Sequence, residues 1–444
     1  MAEAPPPPFY LRLFKSSASI EPLELKAVVI SMLYFFFLFG SYAIVKPVRD
    51  TMGTVYGVAY YQDLFTATFI ATLIVAPLYS GCASRIKLSA FLPWVYGFIA
   101  VTILAFFVLF SRGSVPIRWL AAAFYVWVSV FNMLIISVFW TFMSDIFSRE
   151  QAKRLYGFIA AGGTIGGITG PVLASIFATV VGNPGLMLIS ACGFTVTAVL
   201  VSLLERERQR LIAAGSDAQR TRLDHRLGGN PFDGFKLLMQ SRYLLLLALF
   251  LFLMTSISTI VYVQLGDLIS KDFVNHAART RVYAIIEVAV NGLTVIIQLL
   301  GTGRFIKRFG VTTGLLLNPI IMVLAFLAIA FSPILLVLGG MQVVRRVAEY
   351  AVAKPTREML FTVVDQESKY KAKNVIDTVV YRGGDMCAAW ASSFVLSFGV
   401  SGLAIFGAIV SVIWFPIAYA LGRRFENVRT GELATSASTT AAAS

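Results

Sequence analysis

Twelve apolar runs of about twenty residues dominate this chain, and a run of that length is what crosses the hydrocarbon core of a bilayer. They begin near residues 27, 58, 91, 117, 154, 184, 243, 282, 311, 333, 374 and 402. Core helices of a soluble protein carry a polar face, whereas these runs are apolar on every side. In lipid each backbone N–H and C=O needs a partner within the protein, so runs of this length predict helices. Composition agrees: 58% of residues are hydrophobic, only 14% are charged, and mean hydropathy is +0.78, against about 25% charged residues in a soluble domain. The expected fold class is an all-α membrane protein with twelve transmembrane helices.

The net charge of +14 would suggest nucleic acid if the chain were soluble. Here most Lys and Arg fall in loops, the pattern of cytoplasmic segments in a membrane protein, so no nucleic-acid partner is expected. Arg85 and Lys87, then Arg149, Lys153 and Arg154, then Arg304, Lys307 and Arg308, then Lys369 and Lys371, and finally Arg423 and Arg424 recur on alternate loops. The turns near Gly182, Ser332 and Gly399 hold neither residue. Arg112 and Arg118, and Lys271, Arg279 and Arg281, are exceptions. The bias predicts cytoplasmic N- and C-termini in a cell (inner) membrane. The first run is too long for a signal-peptide core and reads as a retained helix.

A basic linker from Glu205 to Arg242 divides the chain. The expected organisation is an N-terminal tail (1–26), a six-helix half (27–204), the linker (205–242), a second six-helix half (243–425) and a disordered tail (426–444). The halves echo each other at an offset of about 220 residues, the mark of a parallel six-plus-six repeat as in major facilitator transporters. Ser84-Arg85-Ile86-Lys87 is matched by Gly303-Arg304-Phe305-Ile306-Lys307. Ala152-Lys153 before Gly162-Gly163 is matched by Ala372-Lys373 before Gly383-Gly384.

Enzyme chemistry finds no support. There are two histidines, His225 and His276, no HExxH and no nucleophile elbow, and Cys82, Cys192 and Cys387 are far apart. No metal or cofactor is expected. The fifth span opens with Gly162, Gly163, Gly166, Gly167 and Gly170 followed by Pro171. Small residues at spacings of three and four let another helix approach closely, and the expected contact is between the two halves.

Charges within the spans cost about 2.5–3.5 kcal/mol each on insertion scales, so they mark function. Lys46 and Arg49 share a helix face near the end of the first span, with Asp50 one turn from Lys46, and suit either an anion in a central cavity or a snorkelling helix end. Glu287 lies early in the eighth span with no partner near it in sequence, which suits a proton carrier or an ion pair with another helix. Asp63 raises the same question. Arg345, Arg346 and Glu349 end the tenth span, with Glu349 able to pair locally. On the eleventh, Arg382 and Asp385 are three apart, and Asp377 faces elsewhere. These charges are gating candidates or static pairs.

Several of these segments carry a resemblance. Lys354-Pro355-Thr356-Arg357-Glu358-Met359, followed by Lys369-Tyr370-Lys371-Ala372-Lys373-Asn374-Val375-Ile376-Asp377, resembles the plastid and intracellular-bacterial ATP/ADP translocase family. Arg49-Asp50-Thr51, Ser137-Val138-Phe139-Trp140 and Ala152-Lys153-Arg154-Leu155-Tyr156 resemble other parts of it, so the likeness runs over roughly residues 25–425. It implies a major-facilitator-like fold and nucleotide exchange. By position it puts Arg49 in place of one functional lysine and Lys371 or Lys373 in place of another. Basic groups there suit phosphate oxygens. The family's acidic residues in the fourth and seventh spans fall at Ser129 and Tyr262, so the basic functional positions are kept and the acidic ones are not.

The expected function is secondary active transport of an anionic solute, a nucleotide or related phosphate compound, by alternating access. Lys46, Arg49, Lys371 and Lys373 would bind it, and Asp50, Glu287, Arg345, Glu349, Asp377, Arg382 and Asp385 would gate or couple protons. A proton-coupled transporter of another metabolite is the alternative. The lipid bilayer and the small anion are the expected partners, and a monomer is compatible with the sequence.

Overall fold

The computed structural model of the protein describes residues 21, 24–85, 88–113, 115–213, 233–364, 372–373 and 375–442. Among these residues thirteen α-helices order as α1 (Leu25–Tyr56), α2 (Tyr61–Arg85), α3 (Leu88–Arg112), α4 (Ile117–Ile146), α5 (Arg149–Ala213), α6 (Asp233–Gln240) and α7 (Arg242–Asp272). They continue as α8 (His276–Leu300), α9 (Thr302–Phe331), α10 (Leu335–Ala348), α11 (Lys354–Leu360), α12 (Tyr381–Leu396) and α13 (Gly399–Ala442). π-helical turns at Glu349–Ala353 and Ile376–Val380 join α10 to α11 and lead into α12.

Among the described residues, eight helices are long and apolar enough to cross a membrane. One of them, α5, has 65 residues, about 98 Å at 1.5 Å per residue, while a hydrocarbon core is about 30 Å thick. It turns at Gly182, whose φ of 68° is open to glycine without the penalty that a β-carbon brings, and Pro184 follows. Splitting α5 there and adding α4 and the shorter α10 and α12 is consistent with the twelve crossings read from the sequence. Local chemistry sets several starts. Ser148 and Gln151 form a reciprocal capping box ahead of α5, with Ser148 N–H donating to Gln151 Oε1 at 2.9 Å and Gln151 N–H to Ser148 Oγ at 3.3 Å. Ser241 caps α7 by accepting from Leu244 N–H, and Asn275 caps α8 by accepting from Ala277 N–H.

Compactness divides the chain into two units. The first holds Met1–Val48, Ala76–Pro116 and Trp127–Arg226, and the second holds Arg49–Val75, Ile117–Val126 and Leu227–Ser444. α1, α2 and α4 therefore each contribute to both. Three of the unit boundaries fall beside a proline: Pro47 in α1, Pro77 in α2, and Pro116 at the cap of α4.

In the first unit α5 lies directly on α1. A β-carbon at Gly162 would collide with the Met32 carbonyl, one at Gly166 with the Phe36 carbonyl, and one at Gly170 would sit 2.6 Å from the Gly40 carbonyl. Gly163 and Gly167 take the rings of Phe35 and Phe39. This corrects the expectation that the glycine face joins the two halves: its partner is the first span of its own half. The reason is visible in α1, which supplies Gly40 opposite Gly166 and so offers a matching smooth strip. Further on, Ser190 Oγ donates to the Ser41 carbonyl at 2.9 Å. Phe35 stacks on Phe139 with centroids 4.0 Å apart, and the Tyr34 and Tyr96 hydroxyls meet at 2.5 Å. Buried Glu24 accepts from Gln151 at 2.7 Å and from Arg154 at 3.0 Å.

In the second unit α9 packs against α13, and α7 packs against both α12 and α13. Phe250 lies 5.3 Å from buried Trp414, and Gly384 admits Thr255 and the Phe252 carbonyl. Tyr56, Tyr61 and Leu64 from the first two spans belong to this same core. α13 stays helical to Ala442, through the stretch from residue 426 expected to be disordered. Extending a helix already nucleated in the bilayer avoids the nucleation cost that a free alanine-rich tail would face. The linker residues 214–232 lie outside the described residues.

Gly166→Val should wedge α5 off the α1 backbone and lower stability by about 3 kcal/mol, the upper end of the overpacking range. Thermal unfolding in detergent would read it. Gly97→Ala, where nothing lies within 4 Å of the added carbon, should leave the midpoint unchanged.

Candidate functional site

The second unit holds a ladder of buried charge, each rung a cation matched to a carboxylate. The first rung is local to α1. Arg49 directs Nε and Nη2 at Asp50 Oδ1, at 2.9 and 2.5 Å, and Asp50 is 4% exposed. The Tyr262 hydroxyl, from α7, donates to the same oxygen at 3.0 Å. Aromatic rings enclose the pair. Arg49 lies 5.1 Å over the Tyr125 ring, Tyr61 stacks on Tyr262 at 5.6 Å, and Phe65 meets both Tyr125 and Tyr262 edge-on. A guanidinium on an aromatic face gains an attraction that increases as water is excluded. Gly266 leaves room for Tyr61: a β-carbon there would stand 2.7 Å from its hydroxyl.

Hydrogen bonds around this rung tie the first two spans to later ones. Thr51 and Thr280 share a hydrogen bond at 2.7 Å, and Arg279 donates to Thr54 at 2.9 Å. Ser393 donates to Gln62 at 2.5 Å, and the Trp390 indole donates to Thr66 at 3.0 Å. Lys46, also on α1, is half-buried. Exposed Asp63 accepts from Tyr56 at 3.2 Å.

The next rungs lie along α7, α8, α10 and α12. Asp385 accepts from Thr259 at 2.9 Å and stands 3.5 Å from Arg382. It is within Coulombic reach of both Arg49 and Glu349, which links the rungs. Arg345 and Arg346 are neighbours on α10, about 100° apart around the helix, so they face different partners. Arg345 donates to Gln342 at 3.0 Å and to Glu349 at 2.7 Å, along its own helix. Arg346 crosses to α8 and grips Glu287 with both terminal nitrogens, Nη2 to Oε2 at 3.0 Å, and also reaches the Tyr350 hydroxyl at 3.2 Å. Glu287 and Arg346 are 5% and 7% exposed. Sequence spacing hid this partner because it is 59 residues away.

The last group surrounds α11. Lys373 donates to Glu358 at 2.5 Å and lies 5.2 Å from the Phe361 ring centroid. Arg357 Nη2 reaches Glu358 at 3.4 Å. Asp377, in the second π turn, sits among the charges of Arg357, Lys373, Glu358 and Lys354. Burial opposes the Glu358 charge, but the hydrogen bond from Lys373 and the charges of Lys373 and Arg357 hold its carboxyl below the usual range. The first π turn shifts the register of α10 so that the Tyr350 and Ala351 carbonyls meet side chains from elsewhere, accepting from Gln298 at 3.1 Å and Thr302 at 2.8 Å. Lys371 lies outside the described residues. Tyr262, Thr259, Gln342, Tyr350 and Arg357 were not singled out as partners from sequence. A polar tip inside an apolar run, as at Tyr262 and Thr259, is the signal that could have found the first two.

The Major Facilitator Superfamily model matches residues 27–353. The chain belongs to the major facilitator superfamily. Solved transporters of this fold superpose along most of its length. A bacterial homologue of the iron transporter ferroportin, inward-facing, gives a TM-score of 0.64 at 12% identity, covering 91% of this chain and all of that one. A bacterial homologue of the human lysosomal transporter Spinster gives 0.60 at 16%, over 92% and 99%. By sequence, this major facilitator chain is 25% identical to ADP,ATP carrier protein 1 of Chlamydia muridarum, over 90% of itself and 89% of the carrier. It is likewise 25% identical to ADP,ATP carrier protein 1 of Chlamydia pneumoniae, over 90% and 92%. The protein is a membrane transporter and not an enzyme.

Glu287→Ala should leave Arg346 buried without its carboxylate and cost about 3–5 kcal/mol, while Glu287→Leu combined with Arg346→Leu should recover most of that loss. Thermal unfolding of the two variants would separate them. For Glu358, a depressed carboxylate adds stability that is present above its unfolded pKa and lost as pH falls through the folded one. Glu358→Gln should therefore flatten the acid side of the unfolding-temperature profile.

Proposed function

We propose that this transporter exchanges anionic phosphate compounds across the membrane, nucleotides of the ADP and ATP type first among them. The observation that carries the reading is the end-to-end likeness to ADP,ATP carriers, over 90% of this chain and 89% of one of them. Arg49, with Lys373 as one of the two lysines that the resemblance offers for the second functional position, supports it. A guanidinium is the donor best shaped for phosphate oxygens, and an aromatic, water-poor setting strengthens each contact it makes. Lys46 and Lys371 complete the proposed basic set. Asp50, Glu349, Arg345, Arg382, Asp385, Glu287 and Asp377 are the proposed gating charges.

Ion pairing favours exchange over proton coupling. Asp50, Glu287, Glu349 and Asp385 each have an arginine within ion-pair distance. Breaking and re-forming such pairs needs no net proton transfer, so these groups suit static or switching pairs of an exchanger. We place the protein in the cell (inner) membrane with both termini cytoplasmic, on the bias of loop charge.

Proteoliposomes loaded with ADP should take up labelled ATP faster than empty ones do. No counter-exchange with any nucleotide would sink the nucleotide reading. Arg49→Gln should lower kcat/KM about a hundredfold, the scale of a lost buried charge contact. An imposed pH gradient should not change the rate of exchange.

A further inference from the structure

The edge of Arg49 that suits a phosphate is already occupied. Nε and Nη2, the two donors that a guanidinium presents side by side to an oxyanion, both go to Asp50 Oδ1. The Tyr262 hydroxyl adds a third donor to that oxygen. The acid is next to Arg49 in sequence, on the same helix, so its effective concentration at the guanidinium is high whatever the rest of the protein does. An anion cannot take that edge without displacing Asp50, and displacing it leaves a second negative charge beside the newcomer.

The arrangement has a use in each part of a transport cycle. Between substrates, an unmatched guanidinium in a water-poor cluster of Tyr61, Tyr125 and Tyr262 would carry an uncompensated desolvation cost, and Asp50 offsets it. With substrate bound, Asp50 weakens the complex. Weak binding is an advantage in a carrier, because affinity that serves the loaded state alone slows release and adds nothing to turnover.

We propose that Asp50 is a tethered competitor for Arg49, a positioning residue whose carboxylate holds the phosphate-binding edge between substrates and reclaims it as the anion leaves. Tyr262 fixes the acid in place from α7. The proposal rests on the reading of the protein as an anion carrier, and it predicts a paired change that simple damage would not produce. Asp50→Asn should bind anions about tenfold more tightly and turn over about tenfold more slowly, so that KM and kcat fall together. Asp50→Glu keeps the charge and should return both toward the unsubstituted values.

The test has two arms on the full-length protein. Thermal-shift titrations with ADP, ATP and inorganic pyrophosphate measure binding, since a ligand of the folded state raises the unfolding temperature by mass action. Counter-exchange in proteoliposomes measures KM and kcat. Tighter pyrophosphate binding by Asp50→Asn, reversed in Asp50→Glu, supports the proposal even if no nucleotide is exchanged, an outcome that would remove only the nucleotide reading. Equal or weaker binding by Asp50→Asn overturns it, as does absence of pyrophosphate binding by either form. If Asp50→Asn fails to fold, Asp50→Ser takes its place with the same expected sign.

Discussion

A charged side chain among helices that face lipid has no water to turn to, and this one constraint organises the interior of the second unit. Asp50, Glu287, Glu349 and Asp385 are each met by an arginine, the next residue or one turn away on the same helix or across on a neighbour. Glu287 and Arg346 show the logic most fully. Both are nearly inaccessible, both terminal nitrogens of the arginine are used, and Tyr350 takes a further bond. Attraction between opposite charges offsets desolvation only when the geometry is this complete. The same need fixes which faces of α8 and α10 can meet, because any other rotation would leave a charge in hydrocarbon.

The first unit solves a different problem with different material. Its contact between α1 and α5 carries few charges and depends on closeness of backbone, with Gly162, Gly166 and Gly170 set against the carbonyls of Met32, Phe36 and Gly40. Lipid tails are as apolar as leucine, so apolar burial alone does not drive helices together, and shape-matched contact does. The polar ends of the unit then supply fastening, through Glu24 with Arg154 and Gln151.

The all-helical membrane class and the turn at Gly182 were legible in the sequence because length and all-round hydropathy report the bilayer directly. Local pairs were legible too: Arg345 with Glu349 and Arg382 with Asp385 follow from helical spacing. Partners distant in sequence were not. Glu287 and Arg346 are 59 residues apart, Asp50 and Tyr262 are 212 apart, and one sequence carries no signal for either meeting. The glycine face was visible as a surface, but its partner was misassigned, because spacing tells that a helix comes close and never which one. Three of the five loop charges that broke the topological pattern have local explanations. Lys271 pairs with Asp267 at 2.6 Å, Arg279 is spent on the Phe273 and Ser270 carbonyls and on Thr54, and Arg118 lies over the rings of Tyr56 and Tyr60. Cations so engaged are weaker topological signals than free loop lysines.

The prolines at the unit boundaries have a mechanical consequence. A proline inside a helix deletes one rung of backbone hydrogen bonding and crowds the carbonyl four residues earlier, which makes that turn the softest place along an otherwise stiff rod. In α1 the softening is at Pro47, one residue before the chain passes from one compact unit to the other, and Arg49 and Asp50 come immediately after. In α2 it is at Pro77, one residue after the boundary that follows Val75. Bending stiffness is thus lowest where these rods change company, so a flexure in either helix would be confined to a single turn. In α1 that joint lies directly beneath the ion pair, which would be carried along whole by the arm beyond it.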